Sequence, residues 1–267
     1  MPLELEPVTL TNSDGGMMSA VAENHPVVSQ EEWLEERKAF LAEEKKLTRL
    51  RDELSRKRRA LPWVKVEKNY ISDGPDGKET LADLFDGRSQ LVVYHFMFGP
   101  EWGVGCPRCS MGADHFDRSV VHLAQRDVTL LAISRAPFLE IDAFRKRMGW
   151  GFKWVSAHDS DFNYDYRVSF TPEEMSRGTF DYNYSMIRFP TEEGTGTSVF
   201  YKDSGNNVFH TYSSYARAAE GMLVPYHFLD LVPKGRDEED LLPDGMAWVR
   251  HHDSYSNSPQ HTSCCHS

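Results

Sequence analysis

The 267-residue sequence predicts an α/β fold, and three observations carry that prediction. Two short apolar runs, Leu91–Phe98 (LVVYHFMF) and Val128–Ser134 (VTLLAIS), read as buried strands. Between them, Met111, Phe116, Val120, Val121 and Leu123 suit one face of a helix over residues 107–126. A strand, a crossover helix and a parallel strand make the unit from which such sheets are built.

The elements follow in order. Residues 1–28 have few apolar positions and no periodicity, and read as a loose arm. Residues 29–61 read as one long helix, because Trp33, Phe40, Leu47, Leu54 and Leu61 recur every seven residues with Leu34, Leu41 and Leu50 beside them. Ser29 and Glu32 fit a capping box, and Pro62 stops the helix. Acidic residues gather at its start and basic ones at its end, matching the helix dipole. The stripe is expected to pack on the protein's own core, with a homodimer through the 29–61 helix as the alternative, since Thr48 and Ser55 weaken the second seam position.

Residues 62–232 hold the alternating domain. Trp63–Val66 and Tyr70–Ser72 read as short strands, Gly74–Gly77 as a turn, and Leu81–Phe85 as a helical turn. After Val128–Ser134 come a helix over Phe138–Met148 and an extended piece over Phe152–Ser156. Residues 159–197 break the pattern with eight aromatics and many turn residues, and read as an insertion whose rings form a small core of their own or line a cleft. Ser198–Lys202 and Val208–Tyr212 make a hairpin, and Ser214–Leu223 the closing helix. Residues 233–267 lose periodicity and end in a tail.

A net charge of −11 argues against nucleic acid or an anionic membrane as partner. No apolar run is long enough for a transmembrane helix, and the N-terminus has neither a basic start nor an apolar stretch, so a cytoplasmic protein is expected. Four cysteines are too few for a disulfide framework. Cys106 and Cys109 form a C-P-R-C pair, while Cys264 and Cys265 sit near the end.

The internal pair carries the chemistry. Two cysteines separated by two residues, where a strand and loop feed a helix, make and break a disulfide with little backbone movement. Cys106 falls at the predicted N-cap and Pro107 at the first helical position, where its missing N–H costs nothing. Free N–H groups and the helix dipole there stabilise a thiolate, and Arg108 adds positive charge. Cys106 is therefore expected to attack and Cys109 to resolve the mixed disulfide. Zinc needs four ligands, and no second CxxC or closely spaced histidine pair precedes the tail; the tail's His261, Cys264, Cys265 and His266 are the remaining source, and inert packing of the pair is the blandest reading. His95, on the strand entering the loop, is a candidate proton carrier or a core histidine. Trp102 is a candidate cover for the sulfur or ordinary loop packing, and His115 and His210 reach the site only if the fold brings them there.

The runs HFMFGPEWGVGCPRCS, GPDGKETLADLFDGRSQLVVY, RDVTLLAISRAP, RMGWGFKWVSAHDSDFNYDYRVSF, VFHTYSSYAR and LDLVPKGRDE resemble a bacterial family of unknown function with a thioredoxin-like fold. The resemblance runs from about Trp33 to Tyr255, and members are often labelled dithiol-disulfide oxidoreductases. It implies a thioredoxin-like sheet and a redox dithiol at Cys106 and Cys109. The dithiol reading in turn expects no cofactor, a protein or small-molecule disulfide as substrate, and a thiol reductant such as thioredoxin or glutathione. Two departures stand out. Thioredoxins place a cis-proline before the strand facing the CxxC, whereas Gly196 and Thr197 precede Ser198 here. Peroxiredoxins place Thr or Ser three residues before the reactive cysteine, whereas this chain has Gly103, although the GKETLADLFDGR approach and the Phe152–Ser156 segment are similar to peroxiredoxins. The alternatives to disulfide exchange are a peroxiredoxin-like thiol peroxidase and a non-catalytic module that holds zinc or copper(I) at the CxxC.

Overall fold

The computed structural model describes residues 25–242 and 244–255. Most of the N-terminal arm and the terminal Cys264 and Cys265 lie outside the described residues.

The apolar runs become the centre of one eight-stranded sheet. Its strands are β1 (Val64–Lys65), β2 (Ile71–Gly74), β3 (Gly77–Thr80), β4 (Gln90–His95), β5 (Val128–Ser134), β6 (Trp154–Ser156), and, after a two-stranded hairpin in the insertion, β9 (Gly196–Lys202) and β10 (Val208–Tyr215). The insertion hairpin is β7 (Phe180–Tyr182) with β8 (Ser185–Ile187). The order across the large sheet is β1-β10-β9-β4-β5-β6-β2-β3. Strands β4, β5 and β6 run parallel, β9 pairs antiparallel with β4, and β10 antiparallel with β9. That parallel core with an antiparallel hairpin on its β4 side is a thioredoxin-like sheet, and the β2–β3 hairpin added beyond β6 gives it the peroxiredoxin-like elaboration.

The helices are α1 (Gln30–Arg59), α2 (Pro107–Phe116), α3 (Val120–Ala124), α4 (Phe138–Arg147), α5 (Phe162–Asp165), α6 (Pro172–Arg177) and α7 (Val224–Leu229). One sheet face buries Tyr94, Phe96, Phe98 and Trp154 against Cys109 and Phe116 of α2 and Phe144 of α4. The other buries Leu91, Val93, Leu131 and Phe200 under Phe85, Phe162 and Tyr166. The period-two alternation of β4 decides which side chain faces which layer.

Three expectations change. The single helix over residues 107–126 is interrupted by a 3-10 turn at Asp117–Ser119, where Asp117 accepts hydrogen bonds from the Gly151 and Phe152 amides at 2.8 and 2.9 Å. The closing helix does not begin at Ser214: Ser214 and Tyr215 complete β10, and Ala216–Met222 is 3-10, the tighter winding used in short connectors. The long helix has its capping box, with Glu32 N–H donating to Ser29 Oγ at 3.2 Å, but its stripe does not pack on the protein's own core, since α1 has no buried residue. Its end meets the sheet edge, where Arg58 lies over the Tyr212 ring at 4.9 Å.

Candidate active site

The Cys106–Cys109 pair sits where β4 hands over to α2. Cys106 is the N-cap of α2, with extended backbone (φ −60°, ψ 128°), and Pro107 is the first helical residue. The Cys106 N–H donates to the Met97 carbonyl at 3.0 Å, which ties the start of the helix to the end of the strand segment. In the intervening loop Gly103 has φ 68°, a left-handed backbone that a β-branched residue adopts only under strain. Threonine is therefore disfavoured at the position where peroxiredoxins use it.

The two thiols differ in acidity. The Cys106 thiol is pushed down to about 6, chiefly because the Cys109 S–H donates to it, with further help from the Cys109 and Arg108 backbone N–H groups and the Arg108 charge; burial opposes them. Cys109 is 2% exposed, and burial drives its pKa well up, reinforced by its hydrogen bond to Cys106 and the Cys106 charge. The two shifts run in opposite directions, so when the pair shares one proton it is Cys109 that holds it. That division gives a half-buried nucleophile and a protonated partner one helical turn inside.

Two residues that sequence reasoning missed surround Cys109. The Tyr94 hydroxyl reaches the Cys109 sulfur and works against its raised pKa, and the Thr195 hydroxyl lies 3.8 Å from that sulfur. Thr195 also donates to the His95 carbonyl at 3.2 Å, and its own carbonyl accepts from Tyr182 at 2.7 Å. Thr195 directly precedes β9 (Gly196–Lys202), in the loop that faces the Cys109 sulfur. The signal for Tyr94 was present as the only hydroxyl in the LVVYHFMF run; Thr195 comes from a loop distant in sequence and had none.

The supporting candidates separate. His95 is adjacent to Tyr94 in sequence and therefore points to the opposite face of the sheet. It is buried there with Nε2 2.8 Å from Ser198 Oγ, and burial depresses its pKa to about 3, so it is neutral and remote from the thiols. His210 joins the same network through Ser213 at 2.7 Å, and His115 bonds back to the Met111 carbonyl. Trp102 packs partly buried on the core and donates to Glu192 at 2.7 Å, pinning the loop to the insertion. Arg108 forms an ion pair with Asp244 of the C-terminal extension.

That extension straps across the helix start. His251 Nε2 donates to the Gly105 carbonyl at 2.8 Å, His252 Nδ1 to Asp114 at 2.7 Å, and Arg147 holds Asp253 through two bonds of 2.8 and 2.9 Å. Between strap, insertion and dithiol lies a cavity of about 1280 Å³. Tyr94, Cys106, Cys109 and Thr195 line its sulfur end; Tyr182 and Phe189 come from the insertion; Leu223, Tyr226, Leu242 and Met246 come from the C-terminal side. The aromatic insertion thus does both things expected of it, since Tyr182 also belongs to a satellite core with Val168, Phe170 and Phe180. Among the described residues no group of three or more metal-ligating side chains occurs, and no helix is long and apolar enough to cross a membrane.

Comparison with known proteins places these features in context. No curated protein matches the chain. Similar solved structures include peroxiredoxin Q of Xanthomonas campestris (15% identity, 59% of this chain and 90% of that one, TM-score 0.39) and peroxidoxin BcpB of Mycobacterium tuberculosis (14%, 61% and 94%, TM-score 0.38). Thioredoxin peroxidase I of Plasmodium yoelii is another (16%, 69% and 92%, TM-score 0.38). Residues 22–255 match the family described as "Bacterial protein of unknown function (DUF899)". The match spans both the sheet with its dithiol and the C-terminal strap, and the chain belongs to that family.

Proposed function

We propose that the chain is a thiol oxidoreductase that acts on a low-molecular-weight substrate within the cavity beside Cys106. The observation that carries this reading is the placement of the pair: Cys106 half-buried at the N-cap of α2 and facing the cavity, with Cys109 buried one helical turn behind it, an arrangement that lowers the pKa of the first thiol and raises that of the second. With a disulfide RSSR, the Cys106 thiolate forms a Cys106–S–SR bond and expels RS⁻. Cys109 then gives up its proton and attacks Cys106, forming the internal disulfide and expelling the second RS⁻. The substrate gains two electrons and leaves as two thiols, and two equivalents of a small external thiol, themselves joined as a disulfide, return the two electrons to the protein.

The strap across α2 and the insertion, which wall the cavity beside Cys106, favour a small molecule over a folded protein. The volume exceeds the usual range of roughly 300–1,000 Å³ for small-molecule sites, so an organic substrate fits. Six carboxylates (Glu220, Asp237, Glu238, Glu239, Asp240, Asp244) and three cations (Arg108, Lys234, Arg236) line it, which disfavours anionic disulfides.

A second reading uses the same sulfurs on a hydroperoxide. The Cys106 thiolate attacks the O–O bond, leaving a sulfenic acid and an alcohol, and Cys109 condenses with the sulfenic acid to give the disulfide and water. The β2–β3 hairpin beyond β6, a peroxiredoxin-like elaboration, favours it, whereas Gly103 removes the hydroxyl that would orient the peroxide.

The test mixes reduced protein with a small organic disulfide or with cumene hydroperoxide and follows formation of the Cys106–Cys109 disulfide by mass spectrometry. Faster oxidation by the disulfide, with a trapped mixed disulfide in Cys109→Ser, supports the first reading; faster oxidation by the hydroperoxide supports the second. Failure of both oxidants to join the sulfurs refutes redox use of the pair.

A further inference from the structure

Helix α1 is thirty residues long and buries none of them. Trp33, Phe40, Leu47 and Leu54 nevertheless recur on it every seven residues, and each is between 49% and 61% exposed. Helices in water owe most of their stability to an apolar face buried against something. Leu34, Leu41 and Leu50 are exposed as well, and Leu61, just past the helix end, continues the spacing at 46%. Together these side chains offer on the order of 700 Å² per chain, close to the roughly 800 Å² that each partner contributes to a standard interface.

The charge pattern identifies the partner and its direction. Residues 30–44 contain six acidic and two basic side chains, a net −4; residues 45–59 contain eight basic and two acidic, a net +6. Two copies laid parallel would set acid on acid and base on base along their length. Laid antiparallel, each half meets its opposite. The apolar stripe has the matching symmetry, because Phe40 and Leu54 lie seven residues to either side of Leu47, and Trp33 and Leu61 fourteen.

We propose that α1 is a dimerisation helix that pairs antiparallel with α1 of a second copy of this chain, about a two-fold axis at Leu47. Leu47 then meets its own counterpart, Phe40 meets the partner's Leu54, and Glu35 and Glu36 lie level with the partner's Arg59 and the partner's Arg58. A seven-residue stripe requires the two helices to wrap in a left-handed supercoil. The contact is isologous, so it closes at two chains. It is independent of the redox chemistry, since α1 contributes nothing to the dithiol or its cavity.

The full-length chain is examined by sedimentation at micromolar concentration, where twice the 30.6 kDa chain mass is expected. Phe40→Glu combined with Leu54→Glu changes only exposed positions and is expected to give a folded monomer. Direction is read by oxidative cross-linking: an equimolar mixture of Phe40→Cys and Leu54→Cys chains forms a covalent dimer absent from the unsubstituted chain, and neither variant forms it alone. A monomeric unsubstituted chain overturns the proposal. So does a Phe40→Cys chain that cross-links to itself, which would place the helices parallel.

Discussion

The hydroxyl of Thr195 lies 3.8 Å from the sulfur of Cys109, and the Tyr94 hydroxyl closes the same group with 3.5 Å between the two oxygens. These two hydroxyls, one from the central strand and one from the loop entering β9, join Cys106 and the Met97 backbone N–H as polar company for a sulfur that otherwise packs in an aromatic core. No carboxylate or imidazole appears among the groups that set the Cys109 pKa. Its reaction as a thiolate therefore depends on hydrogen-bond donors rather than on a strong base.

Tyr94→Phe removes the one side-chain donor that, with the Met97 backbone N–H, lowers the raised pKa of Cys109. A hydrogen bond to a charged group contributes about 1.5–3 kcal/mol, so resolution of the mixed disulfide should slow by roughly ten-fold or more. Quenched-flow mass spectrometry should show the mixed disulfide accumulating while the first attack keeps its rate. Unchanged resolution in Tyr94→Phe would remove this role from the hydroxyl.

The dithiol, its N-cap placement and the strands around it were legible in the sequence because they are local: a CxxC, a proline at the first helical position and two short apolar runs. Of the two readings of His95, the fold takes the core histidine, for a reason the sequence also contained. Alternation along β4 puts Tyr94 and Phe96 on the α2 face, and His95 one residue away on the other. Thr195, the Arg108–Asp244 pair and the His251 strap join segments roughly ninety or more residues apart, and no local pattern announces them. The stripe on α1 was visible, but periodicity alone does not tell whether it packs on this chain's own core; the exposure of every stripe residue shows that it does not.

Cys106 should alkylate with a midpoint near pH 6, the rate rising with pH as the thiolate forms. The S–H of Cys109 is the largest cause of that low value, so Cys109→Ala should move the midpoint upward toward the ordinary thiol range. Iodoacetamide rates measured across pH 4–9 read both. A midpoint in Cys109→Ala equal to that of the unsubstituted protein would show that the helix N-terminus alone sets the acidity.

His95 couples folding to acid. Its folded pKa of about 3 lies below the unfolded value of 6.5, so between those values the unfolded chain binds the extra proton. Its contribution to stability is full above pH 6.5 and is lost as the pH falls toward 3, at up to about 1.4 kcal/mol per pH unit. In urea titrations from pH 7 to 4, His95→Gln should flatten this dependence while lowering stability at pH 7. An unaltered slope would assign the acid sensitivity to other groups.

Gly105, the last loop residue before Cys106, packs against Phe96 and against Phe144 of α4. A Cβ there would stand 2.7 Å from Phe96 and 2.8 Å from Phe144, two buried rings with little room to move. Gly105→Ala should cost about 1–3 kcal/mol by overpacking, measured as a lower urea midpoint. It should also disturb Cys106, the next residue. A variant as stable as the parent would mean that the two rings repack freely.

Charge at the cavity gives the last prediction. If the carboxylates around Glu239 and Asp240 select substrates, cystamine, a dication, should oxidise the reduced pair about ten-fold faster than glutathione disulfide, which is anionic, once each rate is divided by its rate with dithiothreitol. Because exposed charges act through solvent, the preference should shrink as salt is raised. Glu239→Gln with Asp240→Asn removes two exposed negative charges and should narrow the ratio several-fold by slowing cystamine and speeding glutathione disulfide. A neutral disulfide, bis(2-hydroxyethyl) disulfide, should keep its rate in that variant, which separates an effect on charge from damage to the site. Glutathione disulfide reacting as fast as cystamine at low salt would show that the carboxylates do not select the substrate, while leaving the chemistry of Cys106 and Cys109 untouched.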